Sequence, residues 1–244
     1  MSLSRRRVIA HRGGANEAPE NTLSAIRRSL ELGVGAVELD VRLTADDRVV
    51  VVHDATVPDF SVALTVGVVE ELTWAELQSV NVGTAENPES PPLLSDILEL
   101  AWNENCLLMI ELKTSSRDAD LVREVVKLVQ ASGRIDSVLC GSFEPCIMDW
   151  LHAACPSLKL VAIAYTDEMI ERHGGVPFDL WALSRPMALG SARLAASVRP
   201  VPLWCWTVNE PDHLPELAGV GVVGFITDCP TRLSDALFGD SKTI

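Results

Sequence analysis

Short apolar runs and amphipathic helical runs alternate along almost the whole chain, and this rhythm constrains the fold more than any other feature. Strand-like runs rich in Val, Ile and Leu cover 8–11, 36–41, 49–53, 107–113, 137–143, 158–165, 179–184, 203–208 and 223–228. Most lack strict polar–apolar alternation, which is how strands buried on both faces read. Helical patterns fall at 22–32, 93–105, 121–131, 145–154, 188–197, 212–217 and 231–237. Leu121, Val125, Leu128 and Val129 share one helix face. Asn21 is the expected N-cap of the first helix and Gly33 its expected C-cap. Such alternation over 244 residues predicts an α/β protein, a (β/α)8 TIM barrel folded as one domain over 1–244.

The count does not close by itself. Nine strand-like runs compete for eight barrel positions, and the link from Val41 to Val49 is too short for a helical crossover. Either one run lies outside the barrel or a crossover helix is missing. Residues 54–92 break the rhythm, with Pro58, Pro88, Pro91 and Pro92 and one short helical piece near Trp74–Val80. An insertion of this length is expected at the C-terminal face of the barrel, as a lid or specificity loop.

Composition excludes several classes. With 20 Lys+Arg against 34 Asp+Glu, the net charge of −14 argues against nucleic-acid and anionic-membrane surfaces. The one basic run, Arg5-Arg6-Arg7, is short, and the apolar residues after it stop at His11-Arg12, so no signal-peptide h-region follows. Uncharged apolar stretches such as 217–227 fall well short of the ~18 residues of a membrane span. Cys106, Cys140, Cys146, Cys155, Cys205 and Cys229 form no C-x-x-C pair. Four lie in apolar runs, where free Cys acts as a small hydrophobe, so a reducing compartment is expected, the cytoplasm by default.

Function in a barrel sits where strands end at the C-terminal face. The strand ends here are polar: His11-Arg12-Gly13-Gly14, Glu38 and Asp40, His53-Asp54, Glu111-Leu112-Lys113, Ser142-Phe143, Trp206-Thr207-Val208-Asn209 and Thr227-Asp228. Side chains alternate with period two, so Glu38 and Asp40 point one way, and so do Glu111 and Lys113. If both pairs face the mouth, three carboxylates converge, and a hard divalent ion such as Mg²⁺ or Ca²⁺ compensates their charge. The alternative is structural ion pairing of Glu38 and Asp40 with Arg12, Arg42 or Lys113. His11 and His53 are candidates for general acid and base, while His152, His173 and His213 receive no role. Arg12 and Lys113 suit a phosphate, the first as a bidentate fork and the second as a point charge. Among the aromatics, Phe143 and Trp206 are candidate lining residues, and Trp204 is a weaker one, since core packing is commoner. No G-x-S-x-G elbow, Walker A, H-E-x-x-H or dinucleotide fingerprint is present.

Taken in order, His11-Arg12-Gly13, Pro19-Glu20-Asn21-Thr22, Glu38-Leu39-Asp40-Val41, Thr44, Asp46, His53-Asp54, Glu111-Leu112-Lys113, Ser142-Phe143, Trp206-Thr207-Val208-Asn209 and Thr227-Asp228 resemble the glycerophosphodiester phosphodiesterases. The resemblance spans 8 to about 237. It implies a (β/α)8 barrel with a small insertion, and hydrolysis of a small-molecule glycerophosphodiester to glycerol 3-phosphate and an alcohol with a divalent cation. It implies Glu38, Asp40 and Glu111 as metal ligands and His11 and His53 as the acid/base pair. Arg12 and Lys113 would hold the phosphate, with Phe143 and Trp206 beside the glycerol or alcohol. It also implies attack by a glycerol hydroxyl, a cyclic phosphate and its opening by water, with neither histidine assigned as the first base. Two places depart from the family. Ala55-Thr56-Val57-Pro58 replaces an Arg-Thr-Thr-like run, which leaves the alcohol open, and Asp47 replaces the Gly expected after Asp46. A lysophospholipase D-like enzyme on the same site and a non-catalytic binder of phosphate ligands are the rival readings. The oligomeric state is not readable.

Overall fold

The computed structural model describes residues 7–61, 64–100 and 106–239. Its strands are β1 (Arg7–Ala10), β2 (Ala36–Leu43), β3 (Val49–Val51), β4 (Thr56–Asp59), β5 (Leu64–Val68), β6 (Leu107–Leu112), β7 (Val138–Ser142), β8 (Lys159–Ala164), β9 (Leu180–Ser184), β10 (Leu203–Trp206) and β11 (Val222–Thr227). Its helices are α1 (Leu23–Leu32), α2 (Trp74–Leu77), α3 (Leu94–Leu98), α4 (Asp118–Ser132), α5 (Pro145–Ala154), α6 (Asp167–Arg172), α7 (Arg185–Val198), α8 (Leu214–Gly219) and α9 (Pro230–Phe238). Eight strands run parallel in the order β1-β11-β10-β9-β8-β7-β6-β2. Pairing of Ile9 with Ala36 and of Ala10 with Val37 closes them into a (β/α)8 barrel.

The ninth run lies outside the barrel. β3 returns antiparallel along β2, with Val41 opposite Val51 and Leu43 opposite Val49. The 44–48 turn is short because it joins a hairpin rather than a crossover, and the Thr44 hydroxyl accepts from Arg48 N–H while the Thr44 N–H donates back, both at 2.9 Å. Asp47 sits there at φ 61°, the left-handed conformation for which glycine is favoured and which Asp tolerates.

Period-two alternation sorts each barrel strand into an inner and an outer face. On β6, Leu107 and Met109 pack inside the barrel, whereas Leu108, Ile110 and Leu112 pack outward against the helices. On β2, Ala36 faces inside, and Val37, Leu39 and Val41 face outward. Trp204, fully buried, fills the barrel interior. It lies over Gly224, where an added Cβ would come 2.3 Å from Trp204 Cδ1. Gly224→Ala is therefore expected to destabilise by ~1–3 kcal/mol through overpacking, read as a lower denaturant midpoint at unchanged slope. An unchanged midpoint would show that the Trp204 ring can move away freely.

Several local expectations are corrected. Thr22, not Asn21, caps α1, its hydroxyl accepting from Ala25 N–H at 3.2 Å. Gly33 ends that helix at φ 77°, as expected. The expected helix at 93–105 is ordered as the short α3, and its 101–105 end lies outside the described residues, as do Arg5 and Arg6. The short α6 has no counterpart among the helical patterns of the sequence. The 54–92 stretch is more structured than its prolines suggest: β4 and β5 form an antiparallel hairpin, and Val50, Val52, Val57, Val69, Leu77, Val80 and Leu93 make a small separate core. This insertion follows β3. It touches the segment after β6, where Ser116 N–H donates to Glu70 at 3.1 Å. No described helix is long and apolar enough to cross a membrane.

Candidate active site

The inner faces of β2 and β6 turn polar as they reach the mouth. Above Ala36 come Glu38 and Asp40, and above Met109 comes Glu111, with Asp40 in register opposite Glu111. All three carboxylates are buried, and one oxygen from each lies within 4.8 Å of the others. Asp40 accepts from Lys113 Nζ at 2.9 Å and from Asn21 Nδ2 at 3.0 Å, with Arg12 Nε at 3.4 Å. Lys113 also contacts Glu111. Glu38 Oε2 accepts from the Arg12 backbone N–H at 2.9 Å, while Glu38 Oε1 is buried with no hydrogen-bond partner among the described residues. The ion pairs considered from the sequence thus form for Asp40 with Arg12 and Lys113. Arg42 instead donates to the carbonyls of His53 and Thr114.

Burial and the charge of Asp40 push the Glu38 carboxyl up to about 8. Burial and Asp40 likewise raise Glu111 to about 7, against the pull of Lys113. Burial raises Asp40 too, but Lys113, His53 and Arg12 outweigh it and hold that carboxyl below its usual range. The cluster therefore carries more acid than its local cations neutralise. An all-oxygen donor set with an orphaned buried carboxylate oxygen fits a hard divalent cation.

The two imidazoles flank this cluster by different routes. His11 follows the end of β1, with Nδ1 2.6 Å from Asp228 Oδ1 and Nε2 3.9 Å from Glu38. His53 does not top a barrel strand. It follows β3, and Val52 N–H donating to Asp40 C=O at 3.0 Å draws the chain back to the mouth. His53 Nδ1 lies 2.7 Å from Asp54 Oδ1. Burial lowers the His11 pKa, but the Asp228 hydrogen bond and the charges of Glu38 and Asp228 leave it raised. For His53, burial and Lys113 outweigh Asp40 and leave it lowered.

A cavity of about 250 Å³ opens above these groups. Its floor is Met109, Ile163, Ala182 and Ile226, its polar side His11, Arg12, Glu38, His53, Glu111 and Lys113. The facing wall is aromatic. Phe143 meets Trp206 and Tyr165 edge-on, both at 5.7 Å between centroids. Trp206 Nε1 donates to Ala182 C=O at 3.1 Å, which fixes its ring. Trp204 does not line the cavity. Several residues given no chemical role from the sequence belong to the site. Asn21, at φ 58°, donates to Asp40; Asp228 and Asn209 stand behind His11; Tyr165 extends the aromatic wall. Glu20 grips the Arg12 guanidinium with both oxygens at 3.0 Å. The polar ends of the runs at 203–208 and 223–228 are a visible signal for Asn209 and Asp228; Asn21 has none beyond the motif around it.

The closed barrel thus gathers three carboxylates, two imidazoles and two cations around one cavity at its mouth, the arrangement of an enzyme active site. The Glycerophosphoryl diester phosphodiesterase family matches residues 11–232, and the chain belongs to that family. The glycerophosphodiester phosphodiesterase of Caldanaerobacter subterraneus subsp. tengcongensis is 29% identical over 234 residues, covering 93% of this chain and 95% of that protein. A Silicibacter pomeroyi DSS-3 crystal structure assigned to the glycerophosphoryl diester phosphodiesterases superposes with a TM-score of 0.85 at 26% identity, over 97% of this chain and 94% of that one. An Oleispira antarctica phosphodiesterase, solved with its product sn-glycerol-3-phosphate, shares the fold with a TM-score of 0.84 at 22% identity, over 95% and 96% of the two chains. The reaction of this chain is the hydrolysis of glycerophosphodiesters.

Proposed function

We propose that the chain cleaves glycerophosphodiesters to glycerol 3-phosphate and the free alcohol, with His53 as first base, His11 as first acid, and Mg²⁺ or Ca²⁺ held by Glu38, Asp40 and Glu111. The observation that carries this reading is the convergence of those three buried carboxylates between two imidazoles. When bound, the cation supplies Lewis-acid stabilisation of phosphoryl charge and acidifies a nearby hydroxyl. Arg12 and Lys113 hold the phosphate oxygens and stabilise charge that grows on them. His53, its pKa lowered, enters neutral. With Nδ1 bound to Asp54, its Nε2 takes the proton of the attacking glycerol hydroxyl. His11, its pKa raised, enters protonated and gives the Nε2 proton to the leaving alkoxide. The cyclic phosphate is then opened by water with the two roles reversed. Phe143 and Trp206 pack beside the glycerol and alcohol groups and exclude water.

The product bound by the Oleispira antarctica protein supports glycerol 3-phosphate as the product here. Purified protein is expected to release glycerol 3-phosphate from glycerophosphocholine or glycerophosphoethanolamine when Mg²⁺ or Ca²⁺ is supplied, as read by a coupled dehydrogenase assay. No release from either ester with either ion would sink the proposal. A lysophospholipid substrate is the second reading. It is favoured by exposed Phe60, Leu64 and Val66 on and beside the β4–β5 hairpin of the insertion, and the same assay with lysophosphatidylcholine distinguishes the two.

A further inference from the structure

We propose that Asp228, itself held by Asn209, is a positioning residue that fixes His11 as the Nδ1–H tautomer, so that Nε2 is the nitrogen presented to the substrate. The proposal rests on the acid/base reading of His11 given above. Barrel closure makes the contact possible. β1 and β11 are neighbours, with Ala10 in register opposite Thr227, so the next residues, His11 and Asp228, emerge side by side at the mouth. They are 217 positions apart in sequence.

Donors and acceptors can be assigned in one way only. A carboxylate accepts and cannot donate, so at 2.6 Å from Asp228 Oδ1 the His11 Nδ1 carries the hydrogen. The other carboxylate oxygen, Oδ2, accepts from Asn209 Nδ2 at 2.8 Å. The Asn209 amide cannot turn over, because its Oδ1 accepts from the Asp228 backbone N–H at 2.9 Å, and a backbone N–H only donates. Thr227 Oγ1, fully buried, donates to the same Oδ1 at 3.1 Å while accepting from Cys229 N–H at 3.0 Å. Every hydrogen in the chain from Cys229 to His11 therefore has a fixed direction. His53 has a looser arrangement, since its partner Asp54 is the adjacent residue and its side chain is 70% exposed.

The fixed Asn209 amide makes the test selective. In Asp228→Asn, the new amide must turn its oxygen to Asn209 Nδ2–H and its NH2 to His11 Nδ1. The neutral ring is then forced into the Nε2–H form, which leaves no lone pair at Nε2 to take a proton back. Adding Asn209→Asp to Asp228→Asn reverses this. The carboxylate now at position 209 accepts from the NH2 of the amide at position 228, and the oxygen of that amide turns back to accept from His11 Nδ1–H. Both the single and the double variant keep nearly the native shape.

The experiment measures kcat on glycerophosphocholine and, at a pH high enough to hold the ring neutral, the His11 ¹⁵N shifts by NMR, the latter in metal-free protein as well as with Mg²⁺. The expected result is Nδ1–H in the parent, Nε2–H and a kcat lower by about 10²-fold or more in Asp228→Asn, and a return of Nδ1–H with at least about tenfold recovery of kcat in the double variant. Parental kcat in Asp228→Asn, retention of Nδ1–H in that variant, or a double variant that regains Nδ1–H without regaining rate would each overturn the proposal. Failure of the underlying reading looks different. Full activity in His11→Ala would remove His11 from the chemistry, and with it the catalytic consequence of Asp228, while leaving the tautomer shifts as predicted.

Discussion

His53→Ala and His11→Ala are each expected to lower kcat by ~10²–10⁴-fold with divalent-ion binding retained, because each removes one proton-transfer group and no proposed ligand. The two losses should respond differently to the leaving group. A 4-nitrophenyl ester of glycerol phosphate leaves as a stable aryloxide and needs no proton from an acid. On that substrate the first-turnover release of nitrophenolate by His11→Ala should recover most of the parental rate, whereas that of His53→Ala should stay impaired, since the first step needs a base whatever departs. The assignment follows from the surroundings. The hydrogen bond and charge of Asp228, together with Glu38, overcome burial and raise the His11 pKa. Burial and Lys113 leave that of His53 lowered. Recovery of His53→Ala instead of His11→Ala would exchange the roles, and parental rates in either variant on the natural ester would remove that residue from the mechanism.

The barrel and most of the site are legible in the sequence because both follow from period-two strands. Leu107, Met109 and Glu111 share the inner face of β6, so knowing which face is core also says where Glu111 points. The same step takes Ala36 to Glu38 and Asp40 on β2. What stays hidden depends on backbone conformation or long-range closure. The 49–53 run has the composition of a barrel strand, yet so short a link cannot hold a crossover, and only the pairing of Val51 with Val41 shows that it returns antiparallel. Asn21 reads as a cap because it precedes a helical pattern, but at φ 58° its side chain turns inward to Asp40, and the next residue, Thr22, caps α1. Pro58 and Gly67 disguise the β4–β5 hairpin, since both are uncommon in strands and are tolerated here in an isolated two-stranded ribbon with an irregular register at Pro58. The contact of His11 with Asp228 exists only once the last strand meets the first.

Removing divalent ions with EDTA is expected to lower activity by about 10³-fold, the order of several kcal/mol of Lewis-acid stabilisation, and to be reversed by Mg²⁺ or Ca²⁺. The same cation should stabilise the fold, and more so at higher pH. Without it, Glu38 titrates near 8 and Glu111 near 7, both above the ordinary 4.5. Between 4.5 and those values the folded protein retains protons that the unfolded chain has lost, so the contribution of these two groups to metal-free stability is greatest below the ordinary value and falls as pH rises toward 8. A bound cation requires the ionised ligands and so removes this loss. At a hundred times its Kd an ion adds ~2.7 kcal/mol, or roughly 5–10 °C in Tm for a chain of this size. The gain in Tm on adding Mg²⁺ or Ca²⁺ should therefore be larger at pH 8 than at pH 6, and Glu111→Gln should shrink it while weakening the metal titration. Glu38→Gln isolates the other half of the cluster. It takes away a carboxylate that resists ionisation, so it should flatten the metal-free decline in Tm between pH 6 and 8 even as it weakens the ion's hold. Metal-independent turnover with no Tm gain at either pH would mean that the three carboxylates are balanced by Arg12 and Lys113 alone, and a gain that is the same at both pH values would mean that the ion displaces no proton from Glu38 or Glu111.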